Sequence, residues 1–153
     1  MAAIIDKTDR HILRILQRDA SISVDGLAER VHLSRNACWR RVKQMEERGV
    51  IEGRVTLVNP AAVDLDLSVF VLIRTSEHDP KWLEKFDRAV RGLPEIVGAH
   101  RMSGDLDYVL RVRVASVKDY DRFYQKLISS VPISDISASF VMDDIKDTTE
   151  LPV

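Results

Sequence analysis

Val24-Asp25-Gly26-Leu27-Ala28-Glu29-Arg30-Val31-His32-Leu33-Ser34-Arg35-Asn36-Ala37-Cys38-Trp39-Arg40-Arg41-Val42-Lys43 reads as two helices around one tight turn. Val24, Leu27, Ala28 and Val31 recur at i, i+3, i+4 and i+7, the spacing that gathers apolar side chains on one helical face. Ser23 and Asp25 are both available as its N-cap. The break is only Val31-His32-Leu33. Ser34 then caps a second helix, with Cys38, Val42 and Met45 as the inward stripe. Gly49 stops it, because glycine takes the left-handed terminal conformation without steric penalty. The outer face carries Arg35, Asn36, Trp39, Arg40 and Lys43. This order of helix, turn and basic helix is the shape that enters a DNA major groove.

The residue types on that face suit the task. Arginine reaches guanine O6 and N7 with two hydrogen bonds, and asparagine does the same for adenine N6 and N7. Arginine and lysine also neutralise phosphates, the source of most non-specific affinity. The early residues of the helix are those expected to reach base edges, and Ser34, its cap, is counted with the DNA-binding set. Arg41 and Arg48 lie elsewhere on the helix, as phosphate contacts or surface ion pairs. Trp39 has two readings: contact with DNA, or a cover over the edge of a small core, the commoner role and the preferred one. Cys38 reads as a buried small apolar residue, since a lone core-facing thiol lacks a resolving partner.

Upstream, Asp6-Lys7-Thr8-Asp9 opens a first helix whose Ile12, Leu13 and Leu16 share a face, and Asp19-Ala20-Ser21 ends it. Downstream the period changes. Val50 to Val58 is β-branched and reads as a strand, a wing or a linker, before Asn59-Pro60 breaks it. Leu67 to Thr75 is a buried strand. Asp79-Pro80 starts a helix with apolar Trp82, Leu83, Phe86, Val90 and Leu93, ended by Gly92 and Pro94. Ile96 to Met102 is a strand, Ser103-Gly104-Asp105 a turn, and Asp107 to Val114 an alternating strand. Ser116 caps a helix to about Ser130, with apolar Tyr120, Phe123, Tyr124, Leu127 and Ile128. Ile133 to Met142 is the last strand.

The expected fold is therefore α+β: an N-terminal winged helix-turn-helix and a C-terminal ferredoxin-like βαββαβ sandwich. The expected domains are a helix-turn-helix over 1–50, a linker strand and hinge over 51–66, and a ferredoxin-like domain over 67–153. Two helices cover one sheet face. The first domain or a second copy is left to cover the other, and apolar residues on both faces of 67–73 support a partner, which points to a homodimer.

Composition narrows the class. The 153 residues are 45% apolar and 31% charged, which is globular rather than disordered. No apolar run approaches the ~18 residues needed to span a bilayer. The N-terminus lacks a basic region followed by an apolar core, so no signal peptide is expected. One cysteine excludes an internal disulfide framework, and these features together point to the cytoplasm. Net charge is −1, but residues 1–60 hold 11 Lys and Arg against 8 Asp and Glu, while 61–153 hold 12 against 16. On charge alone two readings stand: only the first part meets a polyanion, or a difference this small is chance. His11, His32, His78 and His100 have no metal-ligand spacing, and neither a catalytic constellation nor a cofactor motif is evident.

The order of parts resembles the Lrp/AsnC family, the leucine-responsive or feast/famine transcription regulators, over nearly the whole chain. The specific pieces are Leu33-Ser34 with Cys38-Trp39-Arg40-Arg41-Val42, Gly49-Val50-Ile51, His100 with Ser103-Gly104-Asp105-Leu106-Asp107-Tyr108, and the tail Lys146 to Pro152. The resemblance implies DNA-bound dimers that assemble into octamers, and a nucleoid-associated location. It also implies an amino acid or similar metabolite bound between subunits. It places effector contacts at Ser103, Gly104, Asp105, Asp107 and Tyr108, with Ser137 and Ser139 opposite. A glycine turn presents backbone N–H groups to an α-carboxylate, and a carboxylate suits an α-amino group. Alternatively, Ser103-Gly104-Asp105 is simply the hairpin turn. Two residues depart from the family pattern: His32 stands where glycine is common in the turn, and Arg35 where proline often follows the cap. Two other functions share the architecture. One is a tetrapyrrole decarboxylase, for which His100 is the one candidate residue. The other is an effector-independent chromatin organiser.

Overall fold

The computed structural model describes residues 5–75 and 79–153, so His78 lies outside it. The chain forms two compact units, residues 1–57 with 146–153, and residues 58–145.

The first unit holds helices α1 (Lys7–Arg18), α2 (Val24–Arg30) and α3 (Arg35–Glu47). Each begins on a side-chain cap. Asp6 accepts from the Asp9 backbone N–H at 2.8 Å, and Asp9 returns a bond to the Asp6 N–H, a reciprocal capping box. Of the two possible caps for α2, Ser23 is used, accepting from the Gly26 N–H at 3.0 Å. Ser34 accepts from the Ala37 N–H.

Both α2 and α3 end in the same motif. The Leu33 N–H reaches back to the Ala28 carbonyl and the His32 N–H to that of Glu29. After α3, Val50 bonds Met45 and Gly49 bonds Glu46 in the same way. The motif requires a left-handed residue after the helix. Gly49 has φ 69°, and His32 has φ 55° despite its side chain. Ile12, Leu13, Leu27, Ala28, Val31, Cys38 and Met45 close the core. Burying a side chain the size of Ile12 contributes about 1.5–3 kcal/mol.

Two sequence expectations change here. Residues 52–59 form no paired strand, and Val55, Leu57 and Val58 are exposed. A strand needs a neighbour to satisfy its backbone, and the described chain offers this segment none. The tail, expected with the C-terminal domain, packs instead in the first unit. Gln17 and Leu151 exchange two hydrogen bonds, Arg18 meets Glu150 at 2.7 Å, and Val153 joins the core.

The second unit begins with a 3-10 turn, Pro60–Val63. It continues through β1 (Leu67–Arg74), α4 (Pro80–Gly92), β2 (Ile96–Arg101), β3 (Tyr108–Val114), α5 (Val117–Ser130) and β4 (Asp135–Phe140). The antiparallel sheet runs β2-β3-β1-β4, the ferredoxin-like order. Val69, Val71 and Ile73 pair with Val112, Leu110 and Tyr108 on the face that packs with the helices. Trp82 stacks on Phe86 at 5.0 Å, and its indole N–H donates to the Pro132 carbonyl. The other face presents Phe70 and Leu72 of β1 beside Val109 and Arg111 of β3 and Ser137 and Ser139 of β4. Phe70 remains 39% exposed, a large apolar side chain on a face that nothing in this unit covers.

Candidate DNA-reading helix and effector turn

Helix α3 sorts its residues as the spacing predicts. Cys38 and Met45 are buried and Val42 is half-buried, while Arg35, Asn36, Trp39, Arg40 and Lys43 are exposed. Trp39, contrary to the packing role its residue type favours, is 55% exposed and stands on the polar face. The small core closes without it, because Ile12, Leu27 and Cys38 already fill the space between the helices. Arg35 pairs with Asp25 at 3.1 Å and Lys43 with Glu46 at 3.3 Å, both in the open. Exposed pairs of this kind are worth about 0–1 kcal/mol, so neither cation is firmly held by its carboxylate. Arg40 has no ion pair among the described residues. Ser34 spends its hydroxyl on the cap and so sets where the helix begins.

Arg41 belongs to a different system. It donates to Asp6 at 2.7 Å and to Asp9 at 2.8 Å, joining α3 to the start of α1. Of its two expected roles, phosphate contact or ion pair, the structure shows the second. The guanidinium pKa is raised by these bonds, Asp9 first. The Asp6 carboxyl is held below its ordinary value, first by the Asp9 backbone N–H and then by Arg41. Burial pushes the Cys38 thiol up, away from the reactive thiolate.

In the second unit the expected effector residues divide into three groups. Ser103, Gly104 and Asp105 form an exposed turn, with Gly104 at φ 106°. Asp107 and Tyr108 are committed to the fold. The Asp107 carboxylate accepts from the Thr75 N–H at 2.8 Å, and its own N–H donates to the Ile73 carbonyl. Tyr108 is buried, 4.5 Å from Phe86, on the helix side of the sheet. Ser137 and Ser139 lie on the other face, opposite Leu72 and Phe70. Strand alternation makes this unavoidable, because Tyr108 pairs with Ile73 and the serines pair with its neighbours of opposite parity.

One residue links the turn to β4. Arg74 donates from Nε to the Asp105 carbonyl at 3.0 Å and from Nη1 to Asp135 at 3.0 Å. In the sequence it lies inside the strand expected over Leu67 to Thr75, with no role singled out for it. Its signal was a charge at the end of an apolar run, too common to single out. His100 is exposed on β2, beside Gly98. Among the described residues no group of three His, Cys, Asp or Glu side chains is placed to hold a metal.

Comparison with known proteins agrees with both units. A family model described as winged helix-turn-helix DNA-binding matches residues 5–52, and one described as the Lrp/AsnC ligand binding domain matches residues 68–151. The DNA-binding transcriptional activator DecR of Escherichia coli is 45% identical over 150 residues, covering 97% of this chain and 99% of DecR. The crystal structure of an AsnC family transcriptional regulator from Agrobacterium tumefaciens matches with a TM-score of 0.93 at 50% identity, covering 96% of each chain. A transcriptional regulator from Neisseria meningitidis, solved in complex with L-methionine, matches with a TM-score of 0.93 at 33% identity, covering 97% of each chain. The chain belongs to the Lrp/AsnC family of transcription regulators.

Proposed function

We propose that this protein is a sequence-specific DNA-binding transcription regulator whose C-terminal unit senses an amino acid. The observation that carries the reading is the division of α3: Cys38 and Met45 in the core, Arg35, Asn36, Trp39, Arg40 and Lys43 outside, and a Ser34 cap setting the start of the helix. Arg35 and Asn36 lie at the end that approaches base edges, while Arg40 and Lys43 neutralise phosphates.

The effector contacts proposed are the exposed backbone and side chains of Ser103, Gly104 and Asp105, with Ser137 and Ser139. Asp107 and Tyr108 position that turn from beneath. The L-methionine complex of the Neisseria relative supports an amino acid as the ligand class. Exposed Phe70 and half-buried Leu72, on a sheet that helices cover on one side only, support a homodimer through this face, and the family resemblance supports further assembly to an octamer. A ligand acts on DNA binding only by favouring one assembly geometry over another.

The test is a gel shift on the DNA upstream of the gene, with competitor DNA, with and without each amino acid. Specific binding that one amino acid alters is expected. Arg40→Ala with Lys43→Ala leaving specific affinity unchanged overturns α3 as the reader. A thermal-shift screen in which no amino acid raises Tm favours the effector-independent organiser instead.

A further inference from the structure

A second basic surface lies away from α3. Lys7, His11, Arg14 and Arg18 recur at i, i+4, i+7 and i+11, and so share one stripe along α1. All four are exposed, and with Arg30 of α2 they line an open depression. The carboxylates here are Asp19, in the depression, and Glu150, which pairs with Arg18. Lys7, Arg14 and Arg30 make no ion pair among the described residues, though the Arg30 charge, after the bonds to Ser21, helps hold the Asp19 carboxyl below its ordinary value. At about 100° per residue the stripe points away from Ile12 and Leu16, the side of α1 that meets the core.

The direction of this surface decides what it can reach. Arg41 ties the start of α1 to α3, and on the α3 wheel Arg41 points roughly opposite to Trp39 and Lys43. The stripe therefore lies behind the reading face, with the body of α1, about 10 Å across, between them. A straight duplex seated against Trp39 and Lys43 does not run along it.

We propose that the outer face of α1, with Arg30, is a second phosphate-binding surface that takes a separate stretch of DNA duplex from the one read by α3. The ligand class follows from the charge: Lys7, Arg14 and Arg18, one to two helical turns apart, suit a regular polyanion, and the depression they line is too open to enclose a small molecule. The inference rests on the reading of α3 as the specific contact.

The test uses the full chain carrying Lys7→Gln, Arg14→Gln and Arg30→Gln, and measures binding against salt concentration. On a short duplex holding one specific site, affinity and salt slope are expected to stay at wild-type values. On long non-specific DNA, the slope of log K against log salt is expected to fall by about 0.9 for each cation removed. Lys7→Arg, Arg14→Lys and Arg30→Lys together are expected to restore it, which separates charge from folding. A slope that falls equally on the short duplex overturns the proposal, because the stripe then lies on the duplex that α3 reads. No change on either DNA also overturns it and points to an acidic protein surface as the occupant. Failure of the α3 reading shows separately, as specific affinity that survives Arg40→Ala with Lys43→Ala.

Discussion

Arg41 of α3 donates to the Asp6 carboxylate that caps α1, at 2.7 Å. One carboxylate thus both starts a helix and joins it to α3. The cap serves local structure, the ion pair serves packing, and together they hold α3 in place.

Arg41→Met is expected to lower stability by about 1 kcal/mol, since the side chain is partly buried and its guanidinium bonds two carboxylates. Chemical denaturation measures it. Loss of specific DNA affinity without loss of stability would show that Arg41 touches phosphate after all.

The same pair sets an acid limb. Because the Asp6 pKa is lowered in the folded state, its contribution is complete above the ordinary carboxylate pKa and is lost as pH falls through the lowered folded value. Asp119, lowered by the Ser116 hydroxyl and then by Arg122, works in the same sense. Stability of the wild type is expected to fall below about pH 4, and Arg41→Met is expected to flatten that fall. Melting temperature against pH reads the difference.

Trp39 and Trp82 are the two tryptophans of the chain, and they stand in opposite environments. Trp82→Phe leaves Trp39 as the only indole, and its fluorescence is expected to change on binding specific duplex. Trp39→Ala is expected to weaken DNA binding while leaving the melting temperature within about 2 °C, as for an exposed residue. Trp82→Ala removes a stacked core ring and is expected to cost about 3–5 kcal/mol.

His32→Gly is expected to stabilise the first unit. The left-handed conformation costs a side chain about 1–2 kcal/mol, and the extra freedom of glycine in the unfolded chain returns part of that. A net gain of about 0.5 kcal/mol follows, measurable by denaturant midpoint. A loss would mean that the imidazole makes a stabilising contact that outweighs the strain.

Cys38→Ser is expected to destabilise more than Cys38→Ala, because the hydroxyl enters a site that is fully buried and apolar. The difference is about 1–2 kcal/mol. The native thiol is expected to resist a thiol reagent at neutral pH, and rapid modification would contradict its burial and raised pKa.

The local elements were legible from the residues alone, because their causes are local. Ser34, Ser116 and Asp79 cap helices through atoms two or three residues away, and Gly49 ends one through its own backbone freedom. Alternation along β3 and the Cys38, Val42, Met45 stripe of α3 likewise depend only on a residue's neighbours in the chain. The family resemblance was legible for the same reason, since its motifs sit on those caps and turns. Tertiary structure alone decided the rest. Whether Trp39 is needed in the core depends on what Ile12 and Leu27 leave unfilled, which no spacing states. Arg41 finds its partners 32 and 35 residues away, and Gln17 finds Leu151 across 134. The strand expected over 50–58 is unpaired because pairing is a property of two segments, and β-branched composition describes only one. Tyr108 and Ser137 belong to opposite faces of one sheet through register, which is fixed by which strands meet and not by the residues of either strand alone.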